Sequence, residues 1–176
     1  MRRVSMVGVS GSGKSTLGRD LAARLAVPYV ELDAIFHQAN WTPLPEEQFR
    51  DRVSVIASGD GWVIDGNYSA VLQQVWERAD TVVWLDIPRR SVMCRIIWRT
   101  VRRAAGRVEL WNGNRERWRN LFTWDEQESV IAWAWRHYPI CKERYAAAAC
   151  DPAYAHLTFT RVATRADLVQ LLASAR

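Results

Sequence analysis

The chain has 176 residues, 49% of them hydrophobic and 24% charged, with a formal net charge of +5. These proportions exclude intrinsic disorder, and the length suits one domain over residues 1–176 with a full core. No apolar run approaches the ~20 residues of a membrane span, and Gly8, Ser10 and Gly11 interrupt the stretch behind the N-terminal arginines, which excludes a signal peptide. Arg3–Val9 reads as a first buried strand, and it runs into Gly8–Thr16, GVSGSGKST. That segment fits G-x-x-x-x-G-K-[ST] at Gly8, Gly13, Lys14 and Ser15. Glycines let a backbone wrap a phosphate with its N–H groups inward, and the following helix adds its positive N-terminal end. In this pattern the lysine reaches the β- and γ-phosphates and the hydroxyl binds Mg²⁺. Gly8, Ser10, Gly11, Ser12, Gly13, Lys14, Ser15 and Thr16 are therefore the candidate phosphate contacts, with ATP and Mg²⁺ the implied ligands. Lysine occurs only at Lys14 and Lys142 in a chain that otherwise uses arginine. A compact ammonium at position 14 thus reads as a chemical requirement.

A helix over Lys14–Ala26 follows, with Leu17, Leu21, Ala22 and Leu25 at helical spacing. Further strands are expected at Pro28–Leu32, Gly61–Asp65, Thr81–Leu85 and His156–Thr160. Further helices are expected at Glu46–Ser58, Ala70–Arg78, Ser91–Ala105, about Asp125 to Ala149, and Thr164–Ala173. The last opens on Thr164-Arg165-Ala166-Asp167, close to a capping box. Strands alternating with helices predict a mostly parallel sheet covered on both faces, with ligands bound beyond the strands' carboxyl ends. Three of those ends carry an aspartate: Asp33, Asp65 and Asp86. Phosphoryl transfer uses one carboxylate on the Mg²⁺ side and another to orient or deprotonate the attacking hydroxyl. Val63-Ile64-Asp65 and Val82-Val83-Trp84-Leu85-Asp86 both fit an apolar strand closed by the magnesium-side aspartate, and both stay open on this pattern.

Between Arg89 and Arg119 lie ten arginines against Glu109 and Glu116. Within the predicted helix, Arg95, Arg99, Arg102 and Arg103 gather on one face, with Met93, Ile97, Val101 and Ala104 opposite. This is a solvated amphipathic face, a clamp closing over the triphosphate, or a nucleic-acid patch, and the clamp is favoured because a triphosphate site already exists. Gly106 and Gly113 are candidate joints for it, and Arg136 a candidate contributor from the next helix. Cys94, Cys141 and Cys150 are odd in number and lack metal-ligand spacing, which reads as free thiols of a reducing cytoplasm.

The succession GVSGSGKST, LDAIFH, WVIDGNY, ADTVVWLDIPRR and an arginine-rich segment resembles the P-loop nucleoside and nucleotide kinase group. It is most similar to the topology modulation or adenylate-kinase-like proteins, through Leu32-Asp33-Ala34-Ile35-Phe36, Trp41-Thr42-Pro43 and Trp62-Val63-Ile64-Asp65-Gly66-Asn67-Tyr68. The resemblance implies a three-layer α/β/α fold of the P-loop NTPase class, with a five-stranded parallel sheet of order 2-3-1-4-5 and a helical arginine-rich lid over about residues 99–125. It favours Asp65 as the magnesium-side carboxylate and places Arg161-Val162-Ala163 beside the adenine. Ser69 stands where the family's D-G-F-P-R element carries an arginine for the acceptor's phosphate, and Arg50 or Arg52 are the candidates to replace it. The implied activity is transfer of the γ-phosphoryl of ATP to a small acceptor. Lys14 would hold phosphate, Asp33 would position the acceptor hydroxyl, and Arg99 and Arg103 would stabilise transferred charge. Phe36, Trp41 and Tyr68 are candidate walls of the acceptor pocket. The alternative is an ATP-dependent switch associated with DNA.

Overall fold

The structure is a computed structural model describing residues 1–106, 109–114 and 129–175. Strands β1 (Arg3–Val7), β2 (Tyr29–Glu31), β3 (Trp62–Asp65), β4 (Thr81–Leu85) and β5 (Thr158–Val162) form one parallel sheet in the order β2-β3-β1-β4-β5. The helices are α1 (Lys14–Leu25), α2 (Leu32–Phe36), α3 (Glu46–Ala57), α4 (Ser69–Arg78), α5 (Arg89–Ala105), α6 (Val130–Ala148) and α7 (Arg165–Ser174).

Strand side chains alternate between two cores. Val4 and Met6 of β1, Val63 of β3, and Val83 and Leu85 of β4 pack with Leu17, Leu21 and Ala22 of α1 and Leu171 of α7. Val7, Trp62, Ile64, Val82 and Trp84 point the other way, toward Phe49 and Val53 of α3, Val75 and Trp76 of α4, and Tyr145 of α6. Both faces are covered, so the central strands need apolar residues at consecutive positions, which explains their unbroken hydrophobic runs. Ser5 is the exception in β1, and Trp76 Nε1 donates to its Oγ at 3.2 Å. The result is the expected three-layer α/β/α fold and strand order.

Several boundaries move. The run read as a second strand ends at Glu31, and Asp33 lies in the first turn of α2, not at a strand end. The fifth strand is Thr158–Val162, two residues later than expected. Asp151 caps a 3-10 turn at Pro152–Tyr154, and pairing from Thr81↔Thr158 to Leu85↔Val162 sets the register. α7 has the capping box, with Thr164 and Asp167 satisfying each other's backbone N–H groups. Of the expected lid, residues 107–108 and 115–125 lie outside the described residues, as does the start of the helix expected from Asp125. α6 begins at Val130, capped by the Ser129 side chain. No helix among the described residues is long and apolar enough to cross a membrane, and Cys94, Cys141 and Cys150 are free thiols.

Candidate active site

The phosphate loop joins β1 to α1 through three glycines at positive φ: Gly8 (+139°), Gly11 (+78°) and Gly13 (+103°). Two are also held by space. A Cβ on Gly8 would lie 2.8 Å from the Leu85 carbonyl, and one on Gly11 would collide with Ile96 Cγ1. No residue of α1 itself is acidic in its first turn. Lys14 Nζ lies across the loop, donating to the carbonyls of Gly8 at 2.7 Å and Val9 at 3.1 Å. Ser12 is buried, whereas Ser10, Gly11, Gly13, Lys14, Ser15 and Thr16 line a cleft of about 1160 Å³.

At the start of α1, Ser15 Oγ lies 2.8 Å from Asp65 Oδ2 and 3.1 Å from Glu31 Oε1. Parallel pairing of β2 with β3 sets Glu31 beside Asp65, so the two carboxylates flank one hydroxyl. Asp65 is 4% exposed, and burial raises its pKa. Lys14 and hydrogen bonds from Ser15 and Tyr29 oppose that rise. The Tyr29 hydroxyl donates to Asp65 Oδ2 at 2.9 Å, and burial next to that carboxylate pushes the phenol far up. Glu31 also accepts from Arg19 Nη2 and Trp111 Nε1, each at 3.2 Å. Asp86 is occupied elsewhere. The Arg161 guanidinium grips its Oδ2, with Nε at 2.9 Å, and Lys142 Nζ stands 4.0 Å away. Of the two open aspartates, Asp65 is the one against Ser15.

The far end of the cleft is aromatic. Tyr68 donates to Asp33 Oδ1 at 2.7 Å, and its hydroxyl stands 3.4 Å from His37 Nε2. Burial lowers the His37 pKa despite the nearby Asp33 charge, so the imidazole is neutral at pH 7. Phe36 packs on Tyr68 with ring centroids 4.7 Å apart, and Trp41 meets His37 edge-on at 5.3 Å. Residues 111–114, within the expected lid, enclose this end. Asn114, buried, accepts from Trp41 N at 2.8 Å and donates to the carbonyls of Gln38 and Trp111. Asn112 donates to the Ala34 carbonyl at 3.2 Å, and Trp111 joins the cleft wall. Glu31, Trp111 and Asn114 were missed because their partnerships span many residues and leave no local signature. The one available signal was Glu31 two residues before Asp33.

The arginine helix faces the loop. Arg95 Nη1 donates to the Ser12 carbonyl at 3.2 Å and Arg99 Nη2 to Ser10 Oγ at 3.0 Å, and Arg103 lines the same cleft one turn on. The buried stripe of α5 is Val92, Ile96 and Thr100, one residue earlier than the apolar face expected from Met93, Ile97 and Val101. Ile96 must cover Gly11, which fixes that rotation and leaves Ile97 and Trp98 exposed. Gly113 does adopt a positive φ of +77°. From α6 the cleft receives Arg144, not Arg136. Neither Arg50 nor Arg52 lines it, and Arg50 pairs with Glu46 at 2.8 Å on the surface. Arg161 is likewise off the cleft wall.

The sheet order, the glycine loop and the Ser15–Asp65 pair agree with the resemblance to the P-loop kinase group. Known proteins narrow the likeness. The family model described as shikimate kinase matches residues 10–50. A shikimate kinase from Nitrobacter winogradskyi is 35% identical over 112 residues, covering 51% of this chain and 52% of that protein. One from Ruegeria pomeroyi is 34% identical over 107 residues, covering 47% and 55%. The chain therefore spans about half the length of these relatives. Two solved structures are similar over nearly the whole chain. They are a shikimate kinase from Bacteroides thetaiotaomicron (TM-score 0.56, 17% identity, 98% of this chain and 94% of that one) and a gluconokinase from Sinorhizobium meliloti (TM-score 0.53, 18%, 99% and 89%). At such identities these two speak to the fold alone. The likeness to topology modulation proteins is not carried by any of these matches, and nor is a role on DNA.

Proposed function

We propose that this chain transfers the γ-phosphoryl of ATP to a hydroxyl of a small acceptor. The observation that carries the reading is one continuous cleft with Lys14, Ser15 and Asp65 at one end and Asp33 and Tyr68 at the other. Loop amides from Gly8 to Thr16 would cradle the phosphates, and Lys14 would exchange the loop carbonyls for β- and γ-oxygens. The donor set of Ser15 Oγ, Asp65 and Glu31 is all oxygen, which suits Mg²⁺. Among the described residues there is no cluster of three or more His, Cys, Asp or Glu that could hold a metal, and Mg²⁺ needs none because it keeps several waters. Bound there, Mg²⁺ would neutralise charge on the phosphates.

Asp33 would accept the proton of the acceptor hydroxyl. Tyr68 holds its Oδ1, which orients the carboxylate and leaves Oδ2 to the acceptor. Arg99 and Arg103 would stabilise the charge in transit. The acceptor is best read as a hydroxylated metabolite, not a nucleoside monophosphate. Ser69 offers no bidentate grip on a phosphate, and neither Arg50 nor Arg52 reaches the cleft to supply one. Relatives named as shikimate kinase support the same class. Asp33→Asn tests the assignment. ATP binding measured by titration calorimetry should stay near the parent value while acceptor-dependent ADP release is lost. Transfer at the parent rate would remove Asp33 from the reaction.

A further inference from the structure

Asn67 has no part in the reading above, yet its side chain meets the peptide of Gly8 from both sides. Oδ1 accepts from Gly8 N at 3.2 Å, and Nδ2 donates to the Gly8 carbonyl. The fully buried Tyr145 of α6 donates its hydroxyl to the same Oδ1 at 3.1 Å. Two donors aimed at one atom and a carbonyl aimed at the other leave the amide a single orientation. Asn67 sits two residues beyond Asp65, across Gly66, where a Cβ would lie 2.7 Å from Leu32 Cβ. The magnesium-side strand end, the phosphate loop and α6 therefore meet on this one amide.

The Gly8 carbonyl has a second side-chain donor, Lys14 Nζ at 2.7 Å. To reach a phosphate, Lys14 must leave that carbonyl. A half-buried carbonyl that loses its donor resists the loss, because an unsatisfied acceptor keeps its desolvation penalty. With Asn67 Nδ2 in place, the carbonyl stays satisfied after Lys14 departs. We propose that Asn67 is the positioning residue of the phosphate loop, holding the Gly8 peptide so that Lys14 is released to the triphosphate, with Tyr145 locking the amide. This rests on the nucleotide-binding reading and extends it to a residue acting through Lys14.

The test is ATP titrated by calorimetry into the parent, Asn67→Ala, Asn67→Asp, Lys14→Ala and the Asn67→Ala/Lys14→Ala double variant, with melting temperatures alongside. Asn67→Ala should weaken ATP binding by about tenfold, the size of one lost hydrogen bond. Asn67→Asp keeps an acceptor for Gly8 N and Tyr145 but loses the donor and offers Lys14 a carboxylate, so it should weaken ATP binding further. In the Lys14→Ala background the Asn67→Ala effect should vanish, since the two act as one unit. If Asn67→Ala does not fold, Tyr145→Phe, which removes only the locking hydroxyl, should still weaken ATP binding. An Asn67→Ala protein that binds ATP within about twofold of the parent overturns the inference. So does an equal loss with and without Lys14, which would mark a merely structural role. A parent that binds no ATP overturns the nucleotide-binding reading itself, and this inference with it.

Discussion

Asp65 is pushed above the usual carboxylate range by burial, even though Lys14, Ser15 and Tyr29 each pull it back. A carboxyl that holds its proton more tightly folded than unfolded contributes most to stability below its unfolded pKa, and that contribution is lost as pH rises through the folded value. At neutral pH the buried charge therefore costs stability, and Asp65→Asn should remove the cost while still accepting from Ser15 and Tyr29. The variant should melt at or above the parent temperature at pH 7, with the advantage shrinking as pH falls through the raised folded pKa and gone by about pH 4, and should lose turnover and its Mg²⁺ dependence. Asp86→Asn should do the reverse, lowering the melting temperature by breaking the Arg161 pair and leaving the Mg²⁺ dependence alone. Melting curves across pH and Mg²⁺ titrations of both variants decide this, and exchanged behaviour would move the magnesium site to Asp86. At this scale Gly8, Gly13, Lys14 and Ser15 were legible because the loop writes its chemistry into consecutive positions. Glu31 and Asn67 were not, because each matters through strand register or through a bond to Gly8 many residues away.

Among the elements, α5 carries the sharpest question. Its Arg95, Arg99 and Arg103 turn toward the loop because Val92, Ile96 and Thr100 are buried beside them. Helical periodicity located the arginine face but placed the apolar stripe one residue late, since Ile97 and Trp98 look like core and are exposed. Leu32 and Asp33, which open α2, read as the end of a strand because five residues are too few to display a 3.6-residue period. If Arg99 and Arg103 engage transferred charge, alanine at either should lower kcat by more than it raises KM for ATP. The loss should be about a hundredfold, the usual effect of removing one such donor. A solvated face predicts a change within about 0.5 kcal/mol, and a nucleic-acid patch predicts normal turnover with a shallower salt dependence of DNA binding. Steady-state kinetics of the two variants separate these outcomes, and a kcat within about twofold of the parent retires the clamp.

For the whole molecule, a parallel sheet with both faces covered brings the carboxyl ends of its strands to one edge, and the chemistry gathers there. The loop leaves β1, Glu31 closes β2, Asp65 closes β3, and α5 returns after β4 to lay its arginines over the glycines. The layers were legible because alternating strands and helices leave few ways to bury every apolar face, whereas the strand order came from the resemblance to the P-loop kinases. The aromatic end of the cleft was not, since Trp41 and Trp111 meet only after Asn114 ties the segment 109–114 to the chain beyond α2. The most direct measurement is ADP release from ATP and Mg²⁺, read by a coupled assay across small polyhydroxylated acids, sugars, nucleosides and nucleotides, for the parent and for Lys14→Ala. The account predicts that one hydroxylated acceptor raises the parent's ADP release by at least about tenfold over water alone, and that Lys14→Ala abolishes the rise. ADP release that ignores every acceptor, or that survives unchanged in folded Lys14→Ala, would contradict it.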